Sequence, residues 1–178
     1  LTTEGQRDID WLPAVEIFGE GIFISFKEDL VRACENKPEV QARVQRVNGI
    51  LEGTSFGTIP SFTDARTIML HTLSHIIIRR AGFSAGYALS SIAERLYASS
   101  TEPPMAGMLF YTAAGDTEGS LGGLVKLADP SQLFRIIKSS LIDAMWCSQD
   151  PICTETTSGH KSVNQAACHA CCFLPETS

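Results

Sequence analysis

Hydrophobic positions recur along this chain with two different periods. VEIFGEGIFISF, Val15–Phe26, mixes β-branched and aromatic residues around Gly19 and Gly21, and predicts a strand with a bulge or tight bend. Lys27–Asn48 is charged and amphipathic, with Leu30, Ala33, Val40, Val44 and Val47 expected inward and Pro38 dividing it into two helical pieces. Gly53, Gly57 and Pro60 mark Gly49–Phe62 as a loop. Asp64 is the expected N-cap of a long apolar helix over Ala65–Ala81, ended by Gly82. A second helix is expected from Ser84, with Ile92 and Leu96 buried and Glu94 and Arg95 facing out, until SSTEPP (Ser99–Pro104) breaks it.

GMLFYT, Gly107–Thr112, reads as a short buried strand, and Ala113–Gly123 as a turn-rich loop that Leu124–Asp129 continues as a short helix or strand. The plainest helix start is Asp129-Pro130-Ser131-Gln132: an aspartate N-cap, proline at the first helical position, and glutamine placed to close a capping box. Phe134, Ile137, Leu141 and Met145 then predict one core face, on a helix running into Trp146-Cys147. A polar loop, Ser148–Lys161, leads to a last short helix carrying the terminal cysteines. The pattern predicts an α+β fold, mostly helical, with two or more central helices, a small β-sheet and a C-terminal four-cysteine zinc lobe. Residues 1–14 form a leading segment and 15–178 the domain, with about the last 30 residues as the zinc lobe.

Composition narrows this picture. At 178 residues the chain can bury a real core, and 44% hydrophobic content is ordinary for a globular domain. No apolar run is long enough to span a membrane; the longest candidate, LHTLSHIII, carries two histidines and meets Arg79 and Arg80. Because the sequence starts at Leu1 and stops at PETS, it is read as part of a longer protein. A net charge of −6 with scattered cations disfavours autonomous, tight binding to duplex phosphates.

Six cysteines in 178 residues fall well below the roughly 8–10% of disulfide scaffolds, so a thiol-reducing, cytoplasmic setting is expected and the cysteine cluster points to metal. The spacing is Cys147, five residues, Cys153, fourteen residues, Cys168, two residues, Cys171. Two ligand pairs joined by a loop are what a structural zinc site needs, because each short turn offers two thiolates and the loop folds them into a tetrahedron. Cys172 is set aside, since adjacent side chains do not both turn easily to one centre, and Cys172 and Cys34 are expected as small buried hydrophobes. His169 and His160 are the substitutes if one cysteine fails. CHAC follows no strand of a βαβ unit, which argues against a redox dithiol. Four thiolates leave no open position, so such a metal holds structure and does no chemistry.

His71 and His75 in HTLSH stand at i and i+4, where two zinc ligands would sit on one helix face. Zinc peptidases carry a glutamate base directly after the first histidine, where this chain has Thr72, and no third ligand is evident downstream. The ordinary reading is a hydrogen-bonded pair inside a tightly packed helix pair, with a neutral pair at a partner interface as its functional variant. GDTEGSLGG lacks the Gly-Lys-Ser/Thr of a nucleotide loop and also lacks GxGxxG, so it is expected as a tight loop packed against a neighbour.

LHTLSHIIIRRAGFSAGYALSSIAERLY resembles the core signature of the MrfA-type zinc-binding (MZB) domain, a helicase-associated family. CSQDPICTE and NQAACHACCFLPETS resemble its cysteine motif, which carries the ligand roles onto Cys147, Cys153, Cys168 and Cys171. EIFGEGIFI (Glu16–Ile24) and YTAAGDTEGSLGGLVKL (Tyr111–Leu127) are similar to stretches of DrmB-type carriers of this domain. That likeness implies a non-enzymatic, zinc-stabilised interaction domain that partners a superfamily 2 helicase, DrmA-like or in the same chain, in DISARM anti-phage defence, reaching DNA through the complex. Two alternatives stand beside it: a zinc hydrolase on His71 and His75, or direct DNA binding by a stripe of Arg66, Arg79, Arg80 and Arg95.

Overall fold

The computed structural model describes residues 18–52, 63–112, 122–155, 167–168, 170–172 and 174. Among these, β1 (Gly21–Ser25), α1 (Glu28–Glu35), α2 (Pro38–Glu52) and α3 (Ala65–Ala85) come first, and a 3-10 turn (Leu89–Ser91) follows. Then come β2 (Ile92–Ser99), β3 (Met105–Thr112), α4 (Gly123–Lys126), α5 (Pro130–Asp143) and α6 (Ile152–Glu155). The fold is mostly helical with a small antiparallel sheet and a C-terminal cysteine cluster, as the pattern predicts. The leading segment 1–14, and the expected loops where they fall within 53–62, 113–121 and 156–166, lie outside the described residues. None of the described helices is long and apolar enough to cross a membrane.

The sheet has the order β1-β3-β2, with β3 paired to both neighbours. Ile22 and Glu94 both stand opposite Phe110, and Ile24 and Leu96 opposite Met108. A strand alternates its side chains, so Ile22, Ile24, Met108, Phe110, Ile92, Glu94 and Leu96 share one face. That face packs on α3, whose Leu70, Ile77 and Ile78 are fully buried. α5 also packs against α3.

Asp64 caps α3 as expected, its carboxylate accepting from the N–H of Thr67. The helix does not end at Gly82; it runs to Ala85 and stops at Gly86, whose φ of 77° is the left-handed conformation that glycine tolerates. Gly82 is instead a packing residue, since a Cβ there would meet the Leu89 side chain at 2.9 Å.

The helix expected from Ser84 does not form. Ile92–Ser99 is strand β2, paired to β3 along its whole length, and Glu94 is buried rather than facing out. Ala, Glu, Arg and Leu favour helix locally, but ladder pairing and a buried face outweigh propensity in so short a segment.

α5 begins at Asp129 and Pro130 as expected, with the aspartate accepting from Ser131 and Gln132. Its core face is rotated from the expected one: Ile136 and Ser140 are buried with Leu133 and Ile137 against the core, while Phe134, Leu141 and Met145 are exposed. In α1, Val31 is buried and the expected Leu30 and Ala33 are exposed; Val44 in α2 is buried as expected.

Glu20, directly before β1, has a specific task. The Glu20 carboxylate accepts from the N–H groups of Gly122, Leu124 and Val125, and from the Tyr87 hydroxyl. It thereby caps the start of α4 with a negative charge. Burial raises the Glu20 pKa, but these donors outweigh it and hold the carboxyl below its ordinary 4.5. The glycine loop is packed at its described end, where a Cβ on Gly123 would lie 3.1 Å from the Ala85 carbonyl oxygen.

Candidate metal centre

Three short segments bring four cysteines together. Cys147 follows the end of α5, Cys153 sits on α6, and Cys168 and Cys171 occupy one turn closed by the N–H groups of Cys171 and Cys172 on the Cys168 carbonyl. One sulfur of each lies within 4.8 Å of the other three. Cys147 and Cys168 sulfurs are 3.5 Å apart, and Cys153–Cys171 and Cys168–Cys171 are 3.8 Å apart. A regular tetrahedron with Zn–S bonds of about 2.3 Å has edges of about 3.8 Å. The spacing is far too long for disulfides, whose sulfurs lie about 2.05 Å apart, and the six cysteines form no disulfide with one another. The cluster geometry is therefore compatible with a structural zinc site.

The immediate surroundings suit thiolates. Backbone N–H groups of Ala170 and Gln149 point at the Cys168 and Cys147 sulfurs at 3.3 and 3.4 Å. Burial pushes the Cys168 thiol up, but the N–H donors of Ala170 and Cys171 and the neighbouring thiols bring it down to about 7. Cys153 is pushed up, first by burial and then by the thiols around it. Four sulfurs packed this closely cannot all be anions without a cation among them.

Cys172 is buried but belongs to the main core, as expected from its adjacency to Cys171, whereas Cys34 is only half-buried. His160 and His169 lie outside the described residues.

α3 holds the lobe in place. Arg79 donates through Nη1 to the carbonyls of Ala170 and Cys171 at 2.9 and 2.7 Å. His75 Nδ1 lies 3.2 Å from the Cys172 carbonyl oxygen. Of the four cations of the alternative DNA-contacting stripe, Arg66 is taken out by burial, whereas Arg79, Arg80 and Arg95 are exposed. Arg66 is buried and bound by Glu28, Glu35 and the carbonyls of Ser99 and Met105, Arg79 is bound to the lobe, and Arg80 pairs with Asp143 at 3.2 Å.

The histidines have a partner that sequence reading missed. Nε2 of His71 and of His75 lie 3.1 and 3.3 Å from the same Glu94 oxygen, Oε1, and the rings stand edge-to-face at 4.4 Å. They face a strand, not a second helix, and the third ligand-type group that the spacing left unidentified is Glu94. Period-two alternation with Ile92 and Leu96 was the signal that could have found it. Burial lowers the His75 pKa, but the Cys172 carbonyl and Glu94 outweigh it and hold it at about 9. Burial raises Glu94, and the two histidines bring it below its ordinary value.

The stretch that carries most of the long helix α3, the sheet strands β2 and β3 and the cysteine cluster matches a family model. The chain belongs to the MrfA Zn-binding domain family, whose model matches residues 73–172. It is also similar to the DISARM protein DrmB of Bacillus paralicheniformis (strain ATCC 9945a / NCIMB 11709 / CD-2), at 35% identity over 184 residues. That match takes in 100% of this chain and 32% of the relative, so the chain spans about a third of the protein it resembles.

Proposed function

We propose that Cys147, Cys153, Cys168 and Cys171 hold one structural zinc ion, and that the domain serves as a non-enzymatic docking module of a DrmB-like DISARM subunit. On this reading it partners a superfamily 2 helicase in anti-phage defence, in the thiol-reducing cytoplasm, and reaches DNA through the complex. The observation that carries it is the convergence of four sulfurs at tetrahedral-edge spacing, which leaves no open position for water or substrate. Two further features support a docking role. Phe83, Met145 and Trp146 are large apolar side chains left well exposed, and Phe83 and Trp146 flank a groove with Arg80 and Asp143. The net charge of −6 and the engagement of Arg66 and Arg79 inside the fold suit docking on a protein better than gripping phosphates.

Metal content by elemental analysis, with Cys168→Ser and Cys171→Ser beside the wild type, tests the zinc assignment. Loss of the cysteine-bound zinc together with the fold in both variants is expected. Full retention in both defeats the assignment. Co-purification of the full-length subunit with its helicase, lost when Trp146 and Phe83 are changed to serine while the fold is kept, tests the docking role.

A further inference from the structure

We infer that His71, His75 and Glu94 form a second binding site for a first-row divalent cation such as zinc, open to solvent and separate from the cysteine cluster. Two imidazoles at i and i+4 of α3 and one carboxylate from β2 present one donor atom each within 4.8 Å of one another. Imidazole and carboxylate together are ligands for such cations, and bonds of about 2.0–2.1 Å in a tetrahedron put neighbouring donors about 3.3 Å apart. The two nitrogen-to-Oε1 distances, 3.1 and 3.3 Å, match that edge.

Proton placement points the same way. The Cys172 carbonyl can only accept, so His75 must carry its hydrogen on Nδ1, which leaves the Nε2 lone pair facing the Glu94 carboxylate. A backbone carbonyl holding the far nitrogen of a histidine is the usual support of a metal-bound imidazole. Both rings approach one carboxylate oxygen, Oε1. The other oxygen, Oε2, is buried with no hydrogen-bond partner among the described residues. The Glu94 side chain is only 5% exposed, and an unpartnered oxygen there carries a cost that a cation bound across the carboxylate removes. His71 is half exposed, so an ion can arrive from that side and keep at least one position for water. Thr72 follows His71 where zinc peptidases carry their glutamate base, so the inference is a binding site and not a hydrolytic one.

The test is zinc stoichiometry by equilibrium dialysis in zinc-buffered solution, on wild type, His71→Ala and Glu94→Gln. Cobalt substitution runs in parallel, because the thiolate-to-cobalt charge-transfer band reports the cysteine cluster alone. About two zinc per chain in the wild type, about one in each variant, and an unchanged thiolate band are expected. His71 is on the surface, so His71→Ala keeps the measurement decisive even if Glu94→Gln fails to fold. A wild type that binds one zinc, with the thiolate band present, overturns the inference and leaves an imidazolium–carboxylate cluster in its place. Two zinc in all three proteins overturns it as well, by placing the second ion elsewhere. Absence of the thiolate band counts against the cysteine assignment and leaves the His71/Glu94 comparison intact.

Discussion

Arg79 sits on the exposed side of α3 and spends its guanidinium on two backbone carbonyls, those of Ala170 and Cys171, 91 and 92 residues away. The cysteine turn is therefore fastened to the long helix by a charged side chain. A hydrogen bond with one charged partner contributes about 1.5–3 kcal/mol, and an exposed one lies at the low end. Arg79→Ala is expected to speed zinc release to a competing chelator about tenfold while shifting the melting temperature of the rest of the domain little. Equal release rates in the two proteins would mean that the lobe does not depend on this clamp.

Glu20 predicts an acid-sensitive link. Its folded pKa lies below 4.5, so it binds fewer protons folded than unfolded near that pH. Its contribution is complete above about pH 4.5 and disappears as pH falls through the lower folded value. Glu20→Gln, which keeps one acceptor and loses the charge, is expected to be less stable at neutral pH by roughly 2 kcal/mol and to show a flatter decline in acid. Urea midpoints from pH 3 to pH 7 measure it; parallel curves for both proteins would rule the link out.

Arg66 is a buried cation between Glu28 at 2.7 Å and Glu35 at 2.6 Å. Removing one partner of a buried pair typically costs about 3–5 kcal/mol. Arg66→Ala is expected to lose about that much in chemical denaturation. Arg66→Lys is expected to recover only part of it, because an ammonium cannot reach two carboxylates and two carbonyls in the guanidinium's fork.

Two buried serines are expected to respond oppositely. The Ser74 hydroxyl has no partner among the described residues, whereas Ser140 donates to the Ile136 carbonyl at 2.9 Å. Ser74→Ala should therefore be neutral or stabilising by up to about 1 kcal/mol, and Ser140→Ala destabilising by about 1 kcal/mol. Paired thermal melts decide between this and a common sign for both.

Local signals were legible in the sequence where a residue acts on its own neighbours. Asp64 and Asp129 announce their helices because a cap bonds two or three residues onward, and the cysteine spacing announces a cluster because two close pairs joined by a loop can fold onto one centre. The fate of Ile92–Ser99 was not legible. Its residues suit a helix, and only the neighbouring strand β3, fixed by long-range packing, makes it a strand. That single misreading hid Glu94, since a residue turned outward on a helix is turned inward here. α5 offered two apolar stripes one position apart, and the choice between them belongs to α3, which it packs against. Arg66 looked like a surface charge because its carboxylate partners lie 31 and 38 residues earlier in the chain.

His71, His75 and Arg79 lie four residues apart along α3, on one stripe of the helix. The first two reach Glu94 in the sheet, and the last two reach the turn that carries Cys168 and Cys171. Inserting or deleting one residue between His71 and Arg79 rotates everything beyond it by about 100°. Such a change parts the sheet from the cysteine turn even though every side chain is still present. Lineages of this domain should therefore vary in loop length around this helix while holding the count of residues within it constant.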